Sequence, residues 1–300
     1  MSEIKTYVES IFDELVAIRR DIHAHPETGS QEVRTSALIR AELEKMGMDE
    51  IQSPLPTAVV GLLHGKKGPG KCVGLRADID ALPVNEDTGL PFASRNEGVM
   101  HACGHDLHTT MLLGIARTLC HMRDQFAGTE KFIFEPSEDL MPGGARKLVA
   151  AGVMENPHVD AIFGMHVFPS ENDTVGTLNL YKGYFTSAVD LIHMTVNGKS
   201  GHGSAPHTAD DAIVCAGYLI TALQTIVSRR VDPMDTAVVT IGTMEGGEAV
   251  NIVAGQAKMV AVSRYFTDTA RNTVLEQAKR VCEGVGHAFG CRIAVDIEEG

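Results

Sequence analysis

Apolar positions recur along the first segment at three- and four-residue spacing. Ile4, Val8, Ile11, Phe12, Leu15 and Ile18 make one stripe, which predicts an amphipathic helix. The stretch from His23 to Ser30, with Pro26 and Gly29, breaks it, and a second helix is expected over 37–46. Short unbroken apolar runs follow at 58–63 and 72–77, the pattern of buried strands. The alternation then repeats, with a helix at 107–122, a strand at 131–134, a helix at 144–151 and a strand at 161–167. Strands and helices in this order predict an α/β unit, a mostly parallel sheet with helices on both faces.

The pattern changes beyond about residue 183. Residues 189–196 alternate and end in the turn pair Asn197-Gly198, and a long helix spans 211–229. Strands are expected at 237–242 and 258–266, a helix at 269–289 and a last strand at 292–297. This β-α-β-β-α-β order is that of a small ferredoxin-like α+β sandwich. The expected domains are therefore 1–185 and 186–298. No apolar run reaches the roughly 18 residues of a membrane span, and the start MSEIKTYVES lacks the apolar core of a signal peptide.

Composition narrows the class of partner. Lys and Arg number 26 against 39 Asp and Glu, a net charge of −13, which excludes the basic footprint of a nucleic-acid or anionic-membrane binder. The six cysteines have no paired short spacings and read as free thiols of a reducing compartment, so a cytoplasmic protein is expected.

Candidate chemistry gathers at predicted strand ends. In His101-Ala102-Cys103-Gly104-His105-Asp106-Leu107-His108, Cys103 and His105 stand two apart just before a helix. Thiolate and imidazole at that spacing suit zinc or a similar divalent ion, with Asp106 and His108 orienting them; the alternative is a polar helix start with an anion site. Glu138 and Asp139 follow the 131–134 strand, where open α/β sheets build their sites: one carboxylate for the metal and one for the attacking water, or two solvated loop acids. His166 ends the apolar run from Ala161, as a third ligand or a satisfied edge histidine. Asp78 and Asp80 alternate at the end of the 72–77 run, either holding a ligating histidine or forming structural ion pairs.

The runs LRADIDALP, MHACGHDLHTTMLLG, FEPSED followed by GGA, and GMHVFP resemble the metal-dependent amidohydrolases of the aminoacylase and carboxypeptidase G superfamily, in the branch of hippurate hydrolases, N-acyl-amino-acid deacylases and auxin-conjugate hydrolases. The resemblance extends over the whole chain. It implies a zinc-peptidase-like catalytic domain with an inserted ferredoxin-like lid, dimers through that lid, and two divalent ions (zinc, manganese, cobalt or nickel). Cys103, His105 and His166 match metal ligands. The family has a Glu-Glu pair where this chain has Glu138-Asp139; Glu138 falls on the general base and Asp139 on a carboxylate ligand. A second departure is Glu135-Pro136-Ser137, where Gln-Pro-Ala is usual.

In the lid, GHGSAPH matches the family's loop, with His202 on the histidine that reaches a substrate carbonyl and His207 beside it. Asn251 and Arg264 match contacts to the substrate's carboxylate side. Family chains return to the catalytic domain after the lid and supply a last histidine ligand, so the resemblance implies that the C-terminal part of the catalytic domain is missing here. The implied reaction is hydrolysis of N-acyl or N-aroyl amino acids, with Glu138 moving the proton from water to the leaving amine and His202 holding the oxyanion. Alternatives are a dipeptidase or carboxypeptidase of the same superfamily, or a non-catalytic binding or dimerisation form.

Overall fold

The computed structural model describes residues 2–168, 174–180 and 182–300. Its contacts divide the chain into two compact units, Met1–Asp173 and Thr174–Gly300. The first contains α1 (Ser2–Ala24), α2 (Val33–Met46), β1 (Glu50–Gln52), β2 (Val59–His64), β3 (Cys72–Asp78), α3 (His105–His121), β4 (Thr129–Glu135), α4 (Gly144–Ala150) and β5 (Ala161–Gly164). The strands form one sheet in the order β1-β2-β4-β3-β5.

Pleating sends alternate side chains to opposite faces, and two cores result. Val59, Leu63, Ala77, Phe132 and Phe134 face Ile39 and Leu43 of α2, Leu112, Leu113 and Ala116 of α3, and Ile18 of α1. Val60 and Ile133 face the other way, onto Leu148 of α4 and Val153. Helices thus cover both faces, as the alternation predicted. The sheet itself is mixed rather than mostly parallel: β3 runs parallel to β4 and to β5, whereas β2 is antiparallel to both β1 and β4. A buried apolar run carries no mark of strand direction, and a connection as short as 53–58 permits only an antiparallel neighbour. The parallel trio β4-β3-β5 brings three carboxyl ends to one edge of the unit.

The second unit contains β6 (Ala188–Asn197), β7 (Gly201–His202), α5 (Ala212–Arg229), β8 (Ala237–Gly246), β9 (Ile252–Val253), β10 (Gln256–Tyr265), α6 (Asp268–Ala288) and β11 (Arg292–Glu299). Its main sheet has the order β11-β6-β10-β8, with every pairing antiparallel, which is the ferredoxin-like sandwich. The short strands β7 and β9 pair separately. Asp211 caps α5, its carboxylate accepting from the amides of Ile213 (2.9 Å) and Val214 (3.1 Å).

By length and composition α5 could cross a membrane, contrary to the expectation that no run approaches that length. Its stripe of Cys215, Ala216, Leu219, Leu223 and Ile226 is instead buried against Ile192, Met194 and Met259 of the sheet. Apolar residues on the rest of the helix raise its hydropathy without changing that role.

Candidate metal centre

β3 is the middle strand of the parallel trio. Its register sets Asp78 beside Glu135 at the end of β4, and Arg76 beside Gly164 at the end of β5. The segments leaving these strands, 79–80, 136–139 and 165–167, meet the start of α3. Gly104 adopts φ +84 immediately before that helix, and a Cβ there would run into the Val167 side chain. A glycine is what lets Cys103 and His105 approach the β5 segment.

Hydrogen bonds fix each imidazole. His105 Nδ1 lies 2.9 Å from the Asp80 carbonyl oxygen and 3.2 Å from its carboxylate, so it carries a proton and donates. Nε2 of His105 is buried and has no hydrogen-bond partner among the described residues. His166 Nδ1 donates to the Val167 carbonyl (2.7 Å), leaving its Nε2 3.5 Å from Cys103 Sγ. His108 differs. Its Nε2 accepts from the Val167 amide (2.9 Å) and its Nδ1 donates to Asp78 (2.6 Å), so one nitrogen holds the backbone beside His166 and the other ties the ring to β3.

Glu138 and Asp139 converge although they are adjacent. Their carboxylates lie 3.7 and 3.8 Å from His105 Nε2, and Ser137, immediately before them, takes a left-handed φ of 58° that turns the chain into the pair. Asp139, one methylene shorter than the glutamate of the family pattern, still brings an oxygen within 4.8 Å of the donor atoms of Asp80 and His105. The donor atoms of Cys103, His105 and His166 meet the same limit.

The electrostatics record a shortage of positive charge. Burial and the neighbouring Asp139 push Glu138 up to about 7, and burial also raises Asp139. Burial and four surrounding carboxylates push the Cys103 thiol up to about 11. Burial opposes the charge on His105, but its bond to Asp80 and the acids around it outweigh this and raise it to about 9. An orphaned buried nitrogen, a thiol, a second imidazole with its lone pair turned inward and surplus carboxylates are a donor set for a divalent cation. The residues fit such an ion.

Three other predicted placements turn out differently or need qualification. The carboxylate of Asp106 faces α1, 2.8 Å from both Arg19 Nε and His23 Nδ1, rather than orienting the ligand histidines. Asp78 takes Arg76 (2.6 Å) and His108, which overcome its burial and hold it at about 2. Strand β5 ends at Gly164, so His166 sits on the following segment, and Pro169 of the GMHVFP run lies outside the described residues. Sequence reasoning missed Arg76, which also bonds Glu135 (2.6 Å), and Glu32, which accepts from the Ser137 amide (2.7 Å). The strand-end spacing of Arg76 and Asp78 was a signal for the first; nothing local signalled the second.

His202, His207, Asn251 and Arg264 belong to the second unit. The β7–β9 pairing brings the first and third together, with the Gly203 amide donating to the Asn251 carbonyl (2.8 Å). His202 Nδ1 accepts from the Ser204 amide (3.2 Å), so the neutral ring carries its proton on Nε2. Arg264 is an exposed side chain on β10.

A profile of peptidase family M20/M25/M40 matches residues 74–290. The chain belongs to this family. It is 40% identical over 299 residues to the N-acyl-L-amino acid amidohydrolase of Geobacillus stearothermophilus, covering 99% of this chain and 79% of the relative. It is 41% identical over 279 residues to the N-acetylcysteine deacetylase of Bacillus subtilis, covering 93% and 72%. The crystal structure of the Bacillus subtilis YXEP protein, described as a dinuclear metal binding peptidase from the M20 family, superposes with a TM-score of 0.80 at 37% identity, covering 97% of this chain and 74% of that one. The chain is thus an M20-family hydrolase with amidohydrolase relatives, and the expected pairing of an α/β unit with a ferredoxin-like unit is the architecture observed.

Proposed function

We propose that the protein hydrolyses the amide bond of N-acyl amino acids, releasing a carboxylic acid and a free amino acid. The observation that carries this reading is the convergence of Glu138 with Cys103, His105, Asp139 and His166 around one buried, unpartnered nitrogen. Those four ligating side chains would hold the divalent cations, two in number by likeness to the dinuclear relative. Bound divalent cations supply Lewis acidity and make water acidic enough to lose a proton near neutral pH.

Glu138 Oε2 takes the proton of the attacking water and later delivers it to the leaving nitrogen. The second unit is proposed as the lid and dimerisation domain, in which His202 donates from Nε2 to the developing oxyanion while Asn251, Arg264 and His207 hold the carboxylate end of the substrate. Its tautomer, set by Ser204, supports the role of His202. The relatives' names support a small-molecule substrate; a cytoplasmic homodimer is proposed with it, on the family resemblance and the unpaired cysteine spacing.

The test is release of free amino acid from N-acetyl amino acids and from hippurate by the metal-loaded protein. Glu138→Gln is expected to lower turnover by at least about a hundredfold, the scale of general-base catalysis, with metal content unchanged. Undiminished turnover of the variant overturns the reading. Faster cleavage of N-acetyl amino acids than of hippurate places the acyl preference with the deacetylases, and the reverse with aroyl substrates.

A further inference from the structure

We propose that Glu32 is a positioning residue for Glu138, gripping the backbone of the loop that carries it. The inference rests on the proposed role of Glu138 as the base. Glu32 lies between α1 and α2, far from the site in sequence, and is fully buried at 0% exposure. Its Oε1 accepts from the Ser137 amide at 2.7 Å and lies 3.5 Å from the Ser137 hydroxyl, while Oε2 has no partner among the described residues.

A fully buried carboxylate is a costly way to satisfy one backbone N–H. What it provides is a short acceptor bond of fixed direction and reach. The direction matters because Ser137 is held at φ 58°, a conformation disfavoured for a residue with a side chain. That turn is what makes Glu138 and Asp139 face His105 together. Ser30, itself at φ 67°, closes the contact with its hydroxyl 3.1 Å from that of Ser137.

The loop is pinned at alternate residues. Arg76 holds the Glu135 carboxylate (2.6 Å), Glu32 holds Ser137, and Asp80 Oδ2 accepts from the Asp139 amide (3.1 Å). On the far side, Gly144 leaves room for the Pro136 carbonyl, which any Cβ there would strike. Two pins therefore come from β3 and its exit, and the third from Glu32. The departures at Glu135 and Ser137 from the family's Gln-Pro-Ala are taken up by Arg76, Glu32 and Ser30 rather than entering the site as free charge.

The experiment compares Glu32→Gln, Glu32→Asp and Glu32→Ala with the wild type and Glu138→Gln, all metal-loaded and normalised to folded protein. The readouts are kcat and KM on an N-acetyl amino acid, metal content by mass spectrometry, and the thermal midpoint. Glu32→Asp and Glu32→Ala, which withdraw the acceptor, are expected to lower kcat at least about tenfold through misplacement of Glu138. Their KM should stay within about twofold and their metal content should not change. Glu32→Gln keeps a carbonyl acceptor at the same reach and should restore kcat to within about threefold of wild type. Wild-type kcat in both shortened variants overturns the proposal whatever their midpoints, as does metal loss in proportion to kcat. If Glu32→Ala does not fold, the contrast of Glu32→Asp with Glu32→Gln decides. An inactive wild type, or an active Glu138→Gln, overturns the functional reading instead.

Discussion

Replacing Arg76 with methionine removes a guanidinium that stands among the acids of the site. Arg76 meets Asp78 and Glu135 at 2.6 Å each, and the two carboxylates are 1% and 4% exposed against 24% for the arginine. Methionine keeps most of the stem's volume but leaves both acids without that partner. Removing one member of a buried pair costs about 3–5 kcal/mol because the remaining charge stays uncompensated. Asp78 retains its bond from His108, so the loss falls mainly on Glu135 and the lower end, about 3 kcal/mol, is expected. For a unit of this size that corresponds to a fall in Tm of roughly 6–12 °C. The assay is thermal unfolding of the metal-free protein by circular dichroism, backed by denaturant titration. Arg76→Lys should recover only part of the loss, since an ammonium cannot fork to two carboxylates as a guanidinium does. A change below about 1 kcal/mol in Arg76→Met, the size of an exposed ion pair, would refute the reasoning.

Three further outcomes are expected. His23 donates to Asp106 (2.8 Å) and Glu86 (3.2 Å), and the Asp106 bond, opposed by burial and by Arg19, lifts it above its ordinary value of 6.5. Its contribution is full below 6.5 and is lost as pH rises through the raised value, so the stability gap between wild type and His23→Gln should narrow across that window; a gap that widens with pH contradicts the assignment. Leu219→Ala, on the fully buried stripe of α5, should destabilise the second unit by about 2–5 kcal/mol in denaturant titration, a loss near zero contradicting the packing. Chelation should lower the unfolding temperature of the first unit, which contains Cys103, His105, Asp139 and His166, and restoring zinc or manganese should reverse it; an unchanged midpoint counts against the centre.

The elements that the sequence announced are those whose signal is local. The stripe of α1 and the alternation in β6 are each written within a few residues, and the observed elements begin and end close to them. What was illegible depends on a distant partner. The three-residue β1 exists because β2 lies beside it, and the antiparallel sense of β2 against β4 has no imprint in either apolar run. The same holds within the site. Cys103, His105, Glu138 and Asp139 were visible as chemistry-bearing side chains at element ends, whereas the Glu32–Ser137 and Arg76–Glu135 contacts join segments that share no pattern. Asp106 shows the limit from the other direction: adjacency to His105 suggested a shared task, but a helix start sends neighbouring side chains to different faces, and Asp106 went to α1.

The division of charge within the site follows from the same geometry. Asp78 lies between Arg76 and His108 and ionises readily, and Glu135 shares that arginine, so the acids of this half have their partners within the protein. The other half has the His105 imidazole as its nearest positive group. Glu138, Asp139, Cys103 and His105 are all displaced toward keeping their protons, and they are the groups whose donor atoms crowd the unpartnered Nε2 of His105. These four groups act on one another, and together they make a cluster of donors that favours added positive charge. The half tied to Arg76 and His108 is hydrogen-bonded within the protein, and the other half carries the ligating atoms. A cation held by these groups must displace their protons, so its binding is expected to release protons and to tighten as pH rises.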